Sequence, residues 1–153
     1  MAKEIEHKYL VVSDEFKHLA KEQHRIIQGY VSRDKERTVR IRIIDNDAKL
    51  TIKGKTDFDT RNEYEYDIPV NDAEEMLESL CEKPVISKVR YIVEFSGNRW
   101  EIDEFSGNLA GLVMAEIEIP YSEYKYDIPP FIGKNVTTDS RYYNSNLSDK
   151  VPE

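Results

Sequence analysis

The like-charged pairs two residues apart in this chain include seven in stretches that read as strands: Glu4/Glu6, Arg40/Arg42, Lys53/Lys55, Glu63/Glu65, Lys88/Arg90, Glu101/Asp103 and Glu116/Glu118. In a β-strand such residues share a face and lie roughly 6.5 Å apart, so each pair repels itself unless opposite charge sits nearby. Paired carboxylates suit hard divalent cations, and paired guanidinium or ammonium groups suit phosphate oxygens. Both sets in one place would describe a polyanion held by the basic groups and joined through Mg²⁺ or Mn²⁺ to the carboxylates. Such a ligand also reconciles phosphate chemistry with a net charge of −8.

The elements that would carry these pairs read as strands. Val39, Ile41 and Ile43 alternate with Arg40 and Arg42, and Val89, Tyr91, Val93 and Phe95 with Lys88 and Arg90. The same period of two runs through Tyr64, Tyr66 and Ile68, through Trp100 and Ile102, and through Val113, Ala115 and Ile117. With the opening stretch KEIEHKYL there are about eight strand candidates, separated by turn signals such as Ser96-Gly97-Asn98. A solvated sheet face would explain any single strand. It explains the set poorly, because solvated faces usually mix signs and neutral polar residues. Eight antiparallel strands closing into a barrel would instead bring every charged face into one interior. Left unpaired there, those charges would be very costly, and a metal–polyanion ligand resolves the cost. The expected fold is mainly β: a closed eight-stranded antiparallel tunnel with a few short helices outside.

Two helices are expected. One lies in SDEFKHLAKE, with Ser13 as N-cap and about two to three turns; the other runs from Asn71 to Glu82 and is ended by Pro84. They should cover part of the outward apolar face, and a homodimer partner is a further candidate for that role. The chain reads as one domain over residues 1–153, with 121–153 as a segment laid over the body rather than joined to the sheet. The start MAKEIEHK has no apolar signal core and no run approaches a membrane span, so a cytoplasmic protein with no membrane partner is expected. The acidic balance argues against nucleic acid polymers. Cys81, in helical register with Met76, Leu77 and Leu80, reads as a packed thiol; His7, His18 and His24 show no ligand spacing.

Glu4-x-Glu6-x-Lys8 resembles the ExExK motif of the CYTH superfamily, the triphosphate tunnel metalloenzymes, and the later pairs follow that family's order. The resemblance extends through Arg40-x-Arg42, Lys53, Glu63-x-Glu65, Lys88-x-Arg90, Asp103 and Glu116-x-Glu118. It is to the short bacterial members that hydrolyse inorganic tripolyphosphate. It implies phosphate binding by Arg40, Arg42, Lys53, Lys88 and Arg90, and metal binding by Glu4, Glu6, Glu116 and Glu118. Glu63, Glu65 and Asp103 match further acidic tunnel positions, divided between metal binding and water positioning. Lys8 matches the motif lysine, with Tyr30 the tyrosine near it; as a pair they are candidates for the chemistry, Lys8 with its pKa depressed by neighbouring cations. Lys55 and Glu101 lie in phase without an assigned role. The implied activity is metal-dependent hydrolysis of a triphosphate-containing small molecule, most simply tripolyphosphate. Open beside it stand an organic triphosphate enzyme (a nucleoside or thiamine triphosphatase, or a class IV-like adenylate cyclase) and a noncatalytic polyphosphate binder.

Overall fold

Strict alternation gives each strand two surfaces of opposite character, and barrel closure is the way to hide one from water while the other is covered from outside. The computed structural model describes residues 3–147 and 150–152, so the expected bounds at 1 and 153 lie outside the described residues. The chain runs β1 (Lys3–Val11), α1 (Phe16–Leu19), β2 (Glu22–Ser32), β3 (Thr38–Ile44), β4 (Asp47–Lys53), β5 (Thr60–Ile68) and α2 (Val70–Ser79). It continues through β6 (Ile86–Phe95), β7 (Asn98–Phe105), β8 (Val113–Glu118) and β9 (Ile132–Asn135). The sheet order is β5-β4-β3-β2-β6-β7-β8-β1. A further antiparallel pairing of Lys3–Ile5 in β1 with Thr60–Asn62 in β5 closes the ring.

The register decides which side chains share the interior. Lys53 stands opposite Glu63 and Thr51 opposite Glu65; Arg90 stands opposite Asp103, and Glu101 and Lys8 both stand opposite Glu116. Directly opposed residues point to the same face, so one charged residue inside commits its partners to the inside as well. The two-residue hairpin between β6 and β7 fits this register: Ser96 at φ 49° and Gly97 at φ 80° form the turn whose twist matches the flanking strands.

The outer face is covered unevenly. Phe16 from α1 and Phe131 from the C-terminal segment cover Tyr91, Val93, Trp100 and Ile117, and Trp100 is completely buried. On the opposite flank, Ala73 and Leu77 of α2 pack with Ile41 and Ala48. Gly29 lets α2 approach closely, since a Cβ there would lie 2.9 Å from Cys81 Cβ. Cys81 is a buried free thiol, in line with its expected packing role. Ile52, Tyr64 and Tyr66 remain exposed.

Three expectations are corrected. The first helix is a single turn, because only Phe16 finds a buried site and the chain from Lys21 is captured by backbone pairing with β6. The second helix starts after Pro69, not at Asn71, and ends at Ser79. The C-terminal segment does join the sheet: β9 pairs with β1 through Tyr9–Asn135 and Val11–Ile132, on the edge that β5 leaves free. The same segment is tied down by Tyr126, whose hydroxyl meets His7 Nδ1 at 2.7 Å and Tyr9 Oη at 2.6 Å. No described helix is long and apolar enough to cross a membrane.

Candidate active site

Inward-facing residues of all eight barrel strands, or residues in contact with them, surround one polar cavity with about 170 Å³ of room for the centres of water-sized groups. Thirteen of the fourteen residues expected at the site line it: Glu4, Glu6, Lys8, Tyr30, Arg40, Arg42, Lys53, Glu63, Glu65, Lys88, Arg90, Glu116 and Glu118. Asp103, the fourteenth, is buried behind the lining. Its two oxygens accept from Arg90 Nε at 2.8 Å and Arg90 Nη2 at 2.9 Å, and Lys88 Nζ lies 2.7 Å from Oδ2. Both oxygens are engaged by cations, so Asp103 anchors the basic groups from behind the lining.

The acidic side is built by β1 and β8. Glu6 stands opposite Glu118 and Lys8 opposite Glu116. Lys8 Nζ lies 2.5 Å from Glu116 Oε2 and 3.2 Å from Glu6 Oε1. Burial would lower the Lys8 pKa, but the Glu116 and Glu6 carboxylates outweigh it and hold Lys8 well above its ordinary value. The expected depression of Lys8 is thereby corrected: the pull of Glu116 and Glu6 outweighs both burial and the nearby Arg61. Glu6 goes the other way. Burial and the Glu116 carboxylate push it up to about 8. Glu118 is also raised, by burial and by Glu4, Glu63 and Glu101. Glu4 stays ionised because Lys53, at 3.1 Å, and Arg61, at 3.5 Å, overcome its burial and hold it near 2.

The basic side is short of anions. Arg40 and Arg42 share one carboxylate, Glu65 Oε2, at 3.6 and 3.4 Å. The Nε atoms of both arginines are buried with no hydrogen-bond partner among the described residues. Burial, with Arg40 and Arg90 nearby, lowers Arg42 to about 10. The depressed lysine of the cavity is Lys88, brought down to about 8 chiefly by burial, with Arg90 adding to the effect against the pull of Asp103. A buried guanidinium with an unused N–H is strongly unfavourable unless an acceptor arrives, and phosphate oxygens match its geometry.

Sequence reasoning left five lining residues unassigned: Arg61, Thr38, Glu101, Asn144 and Ser145. Arg61 was legible, being in phase with Glu63 and Glu65. Asn144 and Ser145 come from an irregular segment with no period to reveal them. Lys55 falls outside the site, because β4 ends at Lys53 and Lys55 is exposed.

The carboxylates fit a divalent cation in kind. Glu6 and Glu118 are raised by burial and by neighbouring carboxylates, and Glu4 and Glu116 are adjacent to them on the same two strands. Among the described residues they are spread between cations, and no three are yet gathered on one point. A metal would therefore have to displace Lys8 and Lys53 from them.

A closed antiparallel barrel whose lumen sets unsatisfied arginines against crowded carboxylates is a tunnel for a polyanion and its counter-cations. The chain belongs to the CYTH family, whose domain model matches residues 2–151. It is 51% identical over 148 residues to an inorganic triphosphatase of Acetivibrio thermocellus, covering 96% of this chain and 94% of that one. It is 31% identical over 129 residues to an inorganic triphosphatase of Nitrosomonas europaea, covering 82% and 84%. A crystal structure of an inorganic triphosphatase superposes with a TM-score of 0.69 at 30% identity, covering 100% of this chain and 99% of the other.

Proposed function

We propose that this chain is a metal-dependent inorganic triphosphatase that hydrolyses tripolyphosphate to pyrophosphate and phosphate. The observation that carries the reading is the pair of orphaned Nε atoms on Arg40 and Arg42, buried in a cavity rich in facing carboxylates. Those two donors, with Lys53, Lys88 and Arg90, bind the phosphoryl oxygens of the chain. Glu4, Glu6, Glu116 and Glu118 are the proposed holders of Mg²⁺ or Mn²⁺, with Glu63 beside Glu4 and Glu118, and Glu65 beside Arg40 and Arg42. A divalent cation there supplies positive charge against the phosphates and acidity for a water molecule.

Hydrolysis adds a water oxygen to a terminal phosphorus, breaks the bridging P–O bond and leaves the electron pair on the departing pyrophosphate; the water proton is released to the site. In this chain Arg40, Arg42 and Arg90 neutralise the phosphoryl oxygens and hold them in line. Asp103 keeps Arg90 and Lys88 aimed into the cavity. Lys8, protonated and released from Glu116 once a metal takes that carboxylate, is a cation beside the phosphates, and Tyr30 adds a hydroxyl to the lining. We place the protein in the cytoplasm and treat residues 1–153 as one working unit.

Tyr30 is the only aromatic side chain among the described residues lining this cavity, while Phe58 and Tyr143 line the smaller pocket that adjoins it at Glu4, Glu6, Lys8 and Arg61, so the substrate comparison decides between an inorganic and an organic triphosphate. Phosphate release from tripolyphosphate, ATP, thiamine triphosphate and pyrophosphate tests this directly. Preference for tripolyphosphate supports the inorganic reading; preference for an organic triphosphate replaces it.

A further inference from the structure

The segment after β9 carries into the cavity a side chain that no charge pattern marks. Asn144 opens a 3-10 turn (Asn144–Asn146) and lines the cavity beside Lys88. Lys88 Nζ donates to Asn144 Oδ1 at 3.1 Å, and Gln28 Nε2 donates to the same oxygen at 3.2 Å. An ammonium has donors only, so the atom facing Lys88 is the amide oxygen, and Nδ2 is turned away from it. Among the described residues that Nδ2 has no hydrogen-bond partner.

The surroundings hold the amide in place. Gln28 is completely buried, and its Oε1 has no partner among the described residues while its Nε2 reaches Asn144. Arg33 Nη1 donates to the carbonyl oxygens of Ser145 at 2.7 Å and Leu147 at 3.0 Å, and its guanidinium lies 5.0 Å over the Tyr30 ring. Lys88 contacts Asn144 with one N–H and Asp103 with another, so tetrahedral geometry sets the direction of its third. Side-chain exposure is 1% at Lys88 but 31% at Glu101 and 34% at Glu65, so the cavity is most enclosed at Lys88, with Asn144 half-buried beside it. A chain entering from the acidic rim brings its leading end here.

Building on the triphosphatase reading, we propose that Asn144 contacts substrate: its Nδ2 donates to the terminal phosphoryl group of a linear phosphoanhydride chain while its Oδ1 aims Lys88 at that group. The ligand class is a free, unesterified phosphate end. An organic ester at this end would run into the turn that Arg33 pins in place.

The deciding variant is Asn144→Asp, which keeps the oxygen used by Lys88 and Gln28 and replaces the donating NH₂ by a second acceptor. Three quantities are measured: KM and kcat for tripolyphosphate with Mn²⁺, the Kd of tripolyphosphate for metal-free protein by calorimetry in EDTA, and the melting temperature. KM and Kd are expected to rise about tenfold or more with little change in melting temperature. Arg33→Met, which alters no residue lining the cavity, should raise KM in the same direction by freeing the turn. Unchanged KM and Kd in Asn144→Asp overturn this assignment and leave the triphosphatase reading standing. If that variant proves unstable, an unchanged KM in Arg33→Met overturns it instead. Failure of the unaltered protein to hydrolyse tripolyphosphate overturns both.

Discussion

Glu6 on β1 stands directly opposite Glu118 on β8, so two carboxylates meet across one rung of the ladder. Such a pair is destabilising by itself and stabilising only around a cation. In EDTA, Glu118→Gln should therefore raise the melting temperature slightly, whereas with saturating Mn²⁺ the same variant should melt below the unaltered protein. Mn²⁺ at a hundred times its Kd should stabilise the unaltered protein by about 2.7 kcal/mol. The same sign of effect in both conditions would show that the pair does not serve a metal.

Arg40 and Arg42 each bring a planar fork to the cavity, and each leaves its Nε unused. Arg42→Lys preserves the charge and loses the fork. Tripolyphosphate affinity should fall by roughly 1.5–3 kcal/mol, the range for hydrogen bonds to charged groups. Calorimetry checks this; an unchanged Kd would mean that charge alone is read.

His24 supplies a pH dependence outside the cavity. Its Nδ1 meets Asp45 Oδ2 at 2.6 Å and its Nε2 meets Glu22 Oε1 at 3.0 Å. The Asp45 hydrogen bond, opposed by partial burial and helped by Glu22, raises its pKa above the ordinary 6.5. The folded protein then binds this proton more tightly than the unfolded chain. Its contribution is complete below about pH 6.5 and is lost as pH rises through the raised value. Melting temperatures of the unaltered protein and His24→Gln should differ more at pH 6 than at pH 8. Equal differences at both would remove the pairing.

Gly29 marks where α2 meets β2. A Cβ there would come within 2.9 Å of Cys81 Cβ and 3.1 Å of Leu77 Cδ2. Gly29→Ala should cost about 1–3 kcal/mol, measured by urea unfolding, because a packed helix must shift. Activity per folded molecule should hold, since Gly29 faces away from the cavity. A neutral effect on stability would mean that α2 is loosely seated.

The strands and the charged lumen were legible because alternation of charge and apolar side chains is a local signal with a period of two. Arg40, Arg42, Lys88 and Arg90 could be placed on one face from spacing alone, and the family order then joined them to Glu116 and Glu118. The ionisation states were not legible. Lys8 is pressed up by carboxylates and Lys88 down by burial, and this depends on which strands become neighbours across the barrel. The one-turn helix at Phe16, the pairing of β9 with β1 and the arrival of Asn144 are tertiary outcomes too, set where irregular chain meets a finished sheet.

The central claim is that these facing rows of charge hydrolyse tripolyphosphate with a divalent metal. Its most direct test is phosphate release from tripolyphosphate by the unaltered protein and by Glu116→Gln, each with Mg²⁺, with Mn²⁺ and with EDTA. Glu116 faces both Lys8 and Arg90, at 2.5 and 3.6 Å, and is a proposed metal ligand. Metal-dependent release that EDTA abolishes, and that Glu116→Gln lowers by about a hundredfold or more while still folding, is the predicted result. Release that persists in EDTA, or a variant as active as the unaltered protein, would contradict it.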